Sequence, residues 1–193
     1  MSTLRHLALA ALLSLSAAAG VAAQPGPDPA AMLAAQKQAL APLAWMDGEW
    51  RGEARTTGMD GKTHVVVQTE RIGPLLDGTI KLIEGRGYNA DGSTGFNAFA
   101  VLSYDVAEKK FHFRSHAMGR SGDFAFEPGA SGYVWTIPAG PMTIRYTATL
   151  ADGAWHEVGE RVTDGKPPVR FFEMTLRRLG DSAWPGGVAV PMH

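Results

Sequence analysis

Seven polar side chains near the C-terminal end could do chemistry: Arg145, Tyr146, His156, Glu157, Glu160, Arg161 and Glu173. They fall in three consecutive segments of alternating pattern, so on neighbouring strands opposite charges would meet at about 5 Å. If one face points inward, an Arg with a Glu and a Tyr forms a polar anchor for a carboxylate or carbonyl ligand. The alternative is a set of solvated cross-strand ion pairs, which contribute little to stability.

Aromatic side chains elsewhere could supply an apolar lining for such a pocket. The candidates are Tyr88, Tyr104, Trp135, Trp155 and Phe99. No Ser-His-Asp set, Cys-His pair, metal triad or close carboxylate pair stands out, which leaves buried Glu and His side chains as the acid and base of any enzyme. The pattern therefore favours binding over catalysis.

A metal site is not predicted, although His112 and His116 share a face. The alternation in "KKFHFRSHAM" indicates a strand, where four residues at about 3.3 Å each separate the imidazoles by roughly 13 Å. We expect a polar outward face there, with a polar barrel lining as the alternative. "GMDGKT" lacks the spacing of a phosphate loop and is read as a hairpin turn.

Composition excludes several classes of protein. The formal net charge is −1, and no basic stripe suited to nucleic acid occurs. There is no Cys, so disulfides and thiolate chemistry are absent. The stability of the fold must come from burial.

The N-terminus reads as an export signal. An Arg-containing start precedes about 15 apolar residues, short of the roughly 20 that span a membrane, and Val21-Ala22-Ala23 offers a signal-peptidase site. We expect a signal peptide over 1–23 cleaved after Ala23, a linker over 24–28, one domain over 29–180 and a tail over 181–193. The mature protein is predicted to be periplasmic or secreted, without a membrane span.

The mature domain is predicted to be all-β. Asp28-Pro29 marks the start of one helix over about 29–41. Asp-Gly and related turns then separate ten alternating segments: 49–57, 63–72, 79–89, 95–104, 110–118, 122–127, 132–137, 142–150, 154–163 and 168–178. Short links predict an antiparallel meander that closes into an up-and-down barrel, which leaves no free edges.

Gly48-Glu49-Trp50 begins the first predicted strand, and Arg177-Arg178 ends the last. This resembles the lipocalin and calycin pattern, in which a G-x-W Trp packs against an Arg of the final strand. The resemblance implies that Trp50 and Arg178 form a structural seam, with the guanidinium stacked on the indole. Residues 42–54, which include Trp45 and Trp50, are then structural rather than catalytic.

A second resemblance covers residues 29–179. The helix leading into "LAWMDGEWRGEA", the hairpin around Ser103-Tyr104-Asp105 and Lys109-Lys110-Phe111, and the final "FFEMTLRRL" are similar to DUF1579, a bacterial family of unknown function. Nitrobindin, a related ten-stranded barrel, binds haem through a His near the end of its last strand. The corresponding region here contains no His, so no haem or other cofactor is expected, and Met174 is interpreted as core rather than an iron ligand.

Three functions remain compatible with these features. The preferred one is an exported barrel that binds a small hydrophobic or amphipathic ligand. The alternatives are a structural or stress accessory with a filled core, and an enzyme with buried Glu and His. A cavity, or a buried carboxyl group with a shifted pKa, would discriminate among them.

Overall fold

The computed structural model describes residues 26 and 28–186, which form one closed antiparallel β-barrel preceded by a short helix. The predicted fold class is therefore confirmed. The predicted signal peptide and the end of the predicted tail lie outside the described residues. In the part of the chain that is described, no helix is both long enough and apolar enough to cross a membrane.

Ten strands follow one another around the barrel, each paired with its neighbours in sequence, and β1 closes on β10. Their bounds are β1 Gly48–Thr57, β2 Thr63–Leu75, β3 Ile80–Tyr88, β4 Thr94–Asp105, β5 Lys110–Ala117, β6 Arg120–Gly129, β7 Gly132–Ala139, β8 Met142–Ala151, β9 Ala154–Thr163 and β10 Val169–Gly180. The Asp-Gly hairpins form as expected. In the β8–β9 turn, for example, Asp152 and Gly153 both have positive φ.

The helix α1, Pro29–Leu40, begins at Asp28, whose Oδ1 accepts a hydrogen bond of 3.0 Å from the Ala30 amide. It packs against β4 and β3. A 3₁₀ helix, Ala41–Met46, follows directly and buries Leu43 and Met46 completely. These two helices lie at the end of the barrel where β1 begins, here called the closed end.

Alternation along the strands separates an inner from an outer face. In β1, Trp50 and Ala54 are buried, whereas Arg51, Glu53 and Arg55 at the other parity are exposed. The same parity directs Gln68 and Ile72 of β2 into the barrel. Because the period is two, each strand contributes every second residue to the interior.

An aromatic cluster fills the closed half of the barrel. Trp45, from the 3₁₀ helix, stacks on Tyr133 with ring centroids 6.2 Å apart. It also meets Trp50 and Trp155 edge to face at 6.2 and 5.4 Å. The 3₁₀ helix therefore contributes an aromatic plug that closes this end. The turns after β1, β3, β5, β7 and β9 lie at the opposite end, here called the open end.

Candidate functional site

The interior of the open half forms a candidate site, which we call the cup. Its walls are inward-facing apolar and aromatic side chains that retain some exposed surface: Val66, Phe124, Trp135, Tyr146 and Phe172. Its floor is polar and consists of Gln68 and Glu157, which are 4% and 7% exposed, and of Glu70, which is partly buried. Large apolar side chains that point into a barrel yet stay accessible at its mouth are suited to contact a ligand.

Glu157, on β9, is the best-buried carboxyl group of the cup. Tyr133 donates a hydrogen bond of 2.7 Å from its hydroxyl to Oε2, and Trp135 donates one of 3.2 Å from Nε1 to Oε1. Burial raises the pKa of Glu157, while the hydrogen bond from Tyr133 opposes that rise. Burial and the Glu157 charge in turn hold the pKa of Tyr133 well above its usual range. The Tyr133 hydroxyl therefore stays protonated and remains a donor.

Glu70, on β2, brings a second carboxyl group to the same interior. Gln68 donates a hydrogen bond of 2.8 Å from Nε2 to Glu70 Oε1. Burial, assisted by the charges of Glu157 and Glu84, raises the pKa of Glu70 to about 8, although the Gln68 bond opposes the shift. Glu70 as a whole keeps a small exposed surface. Two strands separate β2 from β9, and the two carboxyl groups interact across the interior.

The aromatic wall of the cup is built from stacked and edge-on rings. Trp135 and Tyr146 are parallel within 8° with centroids 4.4 Å apart. Phe172 meets Tyr146 edge-on at 5.6 Å, and Phe124 lies 5.9 Å from Trp135. Gly159 makes this packing possible, because a Cβ there would lie 2.8 Å from atoms of both Tyr146 and Phe172. A glycine at this position therefore sets the shape of the wall.

Arg161 lies on the inward face of β9 towards the open end. Its guanidinium donates a hydrogen bond of 3.3 Å to the Thr57 carbonyl and lies 4.4 Å from the centroid of the Phe171 ring. The four-residue offset from Glu157 corresponds to roughly 13 Å along a strand. Arg161 is therefore a rim residue and not the counter-ion of Glu157.

The predicted ligand-binding residues divide between the interior and the surface. Trp135, Tyr146 and Glu157 do meet in the cup, with Arg161 at its rim. Tyr104 lies in the other half of the barrel, where its ring packs on Phe111 at 5.1 Å. Its backbone carbonyl accepts a bond of 3.3 Å from Gln36 of α1.

The expected placement of Arg145, Glu173 and Tyr88 in the same pocket is not what the structure shows. Arg145 pairs with Glu160 at 2.7 Å on the outer face, and exposed Glu173 pairs with Arg170 at 2.8 Å. Tyr88 is opposite Val67, which is 50% exposed, so it belongs to the outer face of β3. These side chains alternate with inward ones, and only the registry of each strand decides which parity faces inward.

Sequence reasoning missed Gln68, Glu70, Tyr133 and Phe172. The charged residues of β2 and β3 occur at both parities, so the sequence does not show which face of these strands is inward. One available indication of the cup was that Gln68 and Glu70 share a parity with the apolar Val66 and Ile72. This arrangement indicates polar groups within a face that otherwise belongs to the core.

Trp50 and Arg178 are opposite each other in the β1–β10 register, as the seam predicted. The expected stack is not among the cation–π contacts of residues 28–186. Instead Trp50 donates from Nε1 to the Met46 carbonyl at 2.9 Å. Arg178 donates from Nη2 to the Asp47 carbonyl at 3.1 Å and also pairs with Asp181. Both side chains thus tie the strands to the segment that leaves the 3₁₀ helix.

Among the described residues, one group of side chains has metal-ligand chemistry, and it lies at the β4–β5 hairpin. Asp105, Glu108 and His112 place ligand atoms within 4.8 Å of one another. Glu108 already pairs with Lys110 at 2.5 Å, and this group lies outside the cup. His112 lies on β5 beside the buried Phe113, in keeping with the predicted polar outer face.

A surface depression of about 420 Å³ lies outside the cup, between β4 and the β5–β6 hairpin. It is lined by Asn97, Ala98, Phe99, His116, Ala117, Met118, Gly119, Arg120 and Ser121. None of the carboxyl groups of the cup borders it. Phe99 thus lies at a surface depression rather than in the predicted apolar lining.

The chain is thus a closed ten-stranded barrel whose open half carries partly exposed aromatic side chains and two carboxyl groups. The chain matches no protein-family model and no curated protein. Among solved structures it is similar to the crystal structure of Rv2717c from M. tuberculosis, with a TM-score of 0.55 at 10% identity over 74% of this chain and 98% of that chain. At this level of identity the likeness concerns the fold.

Proposed function

We propose that this protein is an exported small-ligand carrier that holds a hydrophobic or amphipathic molecule in the cup. The observation that carries the proposal is the stacked Trp135–Tyr146 pair, which remains accessible above the buried Glu157 carboxyl group. An apolar wall beside a few fixed polar groups is the usual composition of a small-molecule site. The aromatic rings would hold the apolar part of the ligand, and the floor would orient its polar end.

The two ends of the barrel support a one-sided entry path. Trp45, Leu43 and Met46 close the interior beside the 3₁₀ helix. The wall of the cup, by contrast, retains exposed surface near the hairpin turns of the open end. A ligand would therefore enter past Arg161 and Phe171 and stop at Glu157.

The alternative function, a structural barrel with a filled core, agrees with the packing of the closed half but not with that of the open half. A barrel that served only as a scaffold would gain stability from complete burial of its large rings. Here Trp135, Tyr146, Phe172 and Phe124 all point inward and still keep exposed surface. This arrangement favours contact with a second molecule.

An acid–base enzyme is the second candidate, favoured by one observation. Glu70, with its pKa raised to about 8, is protonated at neutral pH and could act as a general acid towards a molecule in the cup. Its neighbours Gln68 and Glu157 are positioned by their own hydrogen bonds. Turnover of a bound molecule that stops in Glu70→Gln, while binding persists, would establish this alternative.

Titration with the neutral fluorophore N-phenyl-1-naphthylamine tests the carrier proposal. We expect a saturable rise in its fluorescence with one site per chain, together with energy transfer from tryptophan. Trp135→Phe should reduce the transfer, because Trp135 lies in the cup wall, and Trp184→Phe on the surface serves as the control. A linear, non-saturating response in the folded protein would contradict the proposal.

Export and family membership are separate parts of the proposal. The signal-like segment over 1–23 supports export, and N-terminal sequencing of the protein from a periplasmic fraction should begin at Gln24. The resemblance to DUF1579 and, more distantly, to nitrobindin is compatible with a closed barrel that is preceded by a helix in the chain. An intact Met1 in a cytoplasmic fraction would contradict export while leaving the cup unaffected.

A further inference from the structure

The cup combines two carboxyl groups with aromatic faces and holds no cation to neutralise them. Among the ion pairs of residues 28–186, none includes Glu70 or Glu157. The partners of Glu157 are the neutral donors Tyr133 and Trp135, and the partner of Glu70 is the neutral Gln68. Buried carboxylates are normally paired or coordinate a metal, because an isolated buried charge is costly.

Cationic side chains on β2 and β9, which carry the two carboxyl groups, and on the neighbouring β3 are engaged elsewhere. Lys81, on β3, is 3% exposed and pairs with Asp47 at the closed end. Arg161 is held at the rim by the Thr57 carbonyl and the Phe171 ring. Arg71 belongs to the outer face, where it pairs with Glu84 at 2.6 Å. A cation that meets Glu70 and Glu157 must therefore come from outside these residues.

Ammonium recognition uses aromatic rings as well as negative charge, and the wall beside these carboxyl groups supplies aromatic rings. Cations are attracted to the faces of Trp and Tyr rings, and quaternary ammonium groups are commonly held in aromatic cages. Trp135 stacks on Tyr146 and donates to Glu157, and both rings keep some exposed surface. A partly exposed ring that lies beside a carboxylate can hold a cation together with that carboxylate.

We propose that the ligand of the cup is an organic cation, an amine or quaternary ammonium on an apolar or aromatic body, with its charge at Glu157 and Glu70 and its body against Trp135 and Tyr146. This inference rests on the proposed carrier function and specifies its ligand class. The cation would favour the ionised form of both carboxyl groups. An anionic ligand would instead meet two carboxyl groups at the floor and find Arg161 only at the rim.

Three soluble probes of similar size and different charge test the inference: benzyltrimethylammonium, benzyl alcohol and phenylacetate. Calorimetric titration of the full-length mature protein should give a Kd for the ammonium at least tenfold lower than for either other probe. Glu157→Gln should weaken ammonium binding at least tenfold while leaving benzyl alcohol within twofold. Glu173→Gln, which removes an equal charge from the exposed outer face, is the matched control and should change neither.

The other outcomes separate the ligand class from the carrier function. Equal affinity for the alcohol and the ammonium, or tightest binding of phenylacetate, overturns the cation assignment and leaves the carrier proposal standing. Failure of all three probes while N-phenyl-1-naphthylamine binds also overturns the assignment, whereas failure of that fluorophore as well overturns the carrier function. Glu70→Gln provides a second variant if Glu157→Gln does not fold, and unchanged ammonium affinity in the folded variant contradicts the proposal.

Discussion

Glu70 and Gly85 are register partners on β2 and β3, and the Glu70 carboxylate occupies the space next to the Gly85 Cα. A Cβ at position 85 would lie 2.7 Å from Oε1 and 2.9 Å from Oε2 of Glu70. The absence of a side chain on one strand therefore creates the place for the carboxyl group of the next. This pairing positions half of the polar floor of the cup.

Gly85→Ala should destabilise the protein by about 1 to 3 kcal/mol, because the carboxylate must leave its bond to Gln68. The same substitution in a Glu70→Ala background should cost less, since the clashing atoms are gone. Urea denaturation of the four proteins in this double-mutant cycle measures the coupling. Equal costs in both backgrounds would show that the carboxylate does not occupy this space.

Stability should fall as the pH rises towards the pKa of Glu70. The folded protein holds this proton with a pKa of about 8 against 4.5 in the unfolded chain, so the contribution is fully present below 4.5. It is lost as the pH rises through 8, because deprotonation then charges a buried group. The groups that act on Glu70 are Glu157 of β9 and Glu84 of β3, with Gln68 on its own strand.

Glu70→Gln should remove most of this pH dependence. The difference in unfolding free energy between pH 5 and pH 9 should shrink by on the order of 3 kcal/mol, taken below the full shift because Glu70 keeps some exposure. Chemical denaturation at several pH values measures the slope, and Glu173→Gln provides the exposed control. An identical slope in Glu70→Gln and the parent would contradict the buried, protonated state.

The seam between β1 and β10 predicts unequal costs for its two residues. Trp50→Ala should destabilise by about 3 to 5 kcal/mol, because a 2% exposed indole leaves a large void and the Met46 carbonyl loses its donor. Arg178→Ala should cost only about 1 kcal/mol, since its bonds to Asp47 and Asp181 are near solvent. Thermal melts compare the two variants. A cost near zero for Trp50→Ala would exclude the seam.

Gly159→Ala should weaken binding of the fluorophore more than a Gly→Ala change at a position where the added Cβ meets no other atom. The added Cβ would lie 2.8 Å from Tyr146 Cε1 and Phe172 Cβ, so the packing of these two side chains in the cup wall must shift. We expect the affinity for N-phenyl-1-naphthylamine to fall at least fivefold. Gly180→Ala, where a Cβ would meet no atom within 4 Å, is the matched control. Unchanged affinity in folded Gly159→Ala would place the fluorophore elsewhere.

The sequence predicted the strands well because their turns carry local signals. Asp-Gly pairs specify positive φ, and the predicted strand limits agree with the observed ones within about three residues. The helix start was predictable for a similar reason, since Asp28 caps it with its own side chain. Parity was also readable in β1, where charged and apolar residues alternate without interruption.

The membership of the cup was less predictable because it depends on contacts between distant strands. Glu157 and Glu70 belong to β9 and β2, and only barrel closure brings them to one interior. Arg145 and Glu173 had the right chemistry but the outward parity, which the register fixes. The prediction that Arg178 stacks on Trp50 was wrong for a related reason, because a contact between distant segments decides it. The Asp47 carbonyl lies nearby and accepts a hydrogen bond from the Arg178 guanidinium.

Native mass spectrometry of the mature protein, purified from its own cells without denaturation, shows whether the cup holds a ligand. A carrier should give a stoichiometric adduct whose mass, after extraction, belongs to a small organic molecule. The adduct should be depleted in Gly159→Ala and retained in Gly180→Ala. An adduct of equal occupancy in both variants would contradict binding in the cup, and a mass free of adduct in the folded parent, together with no saturable binding of the fluorophore, would contradict the carrier function.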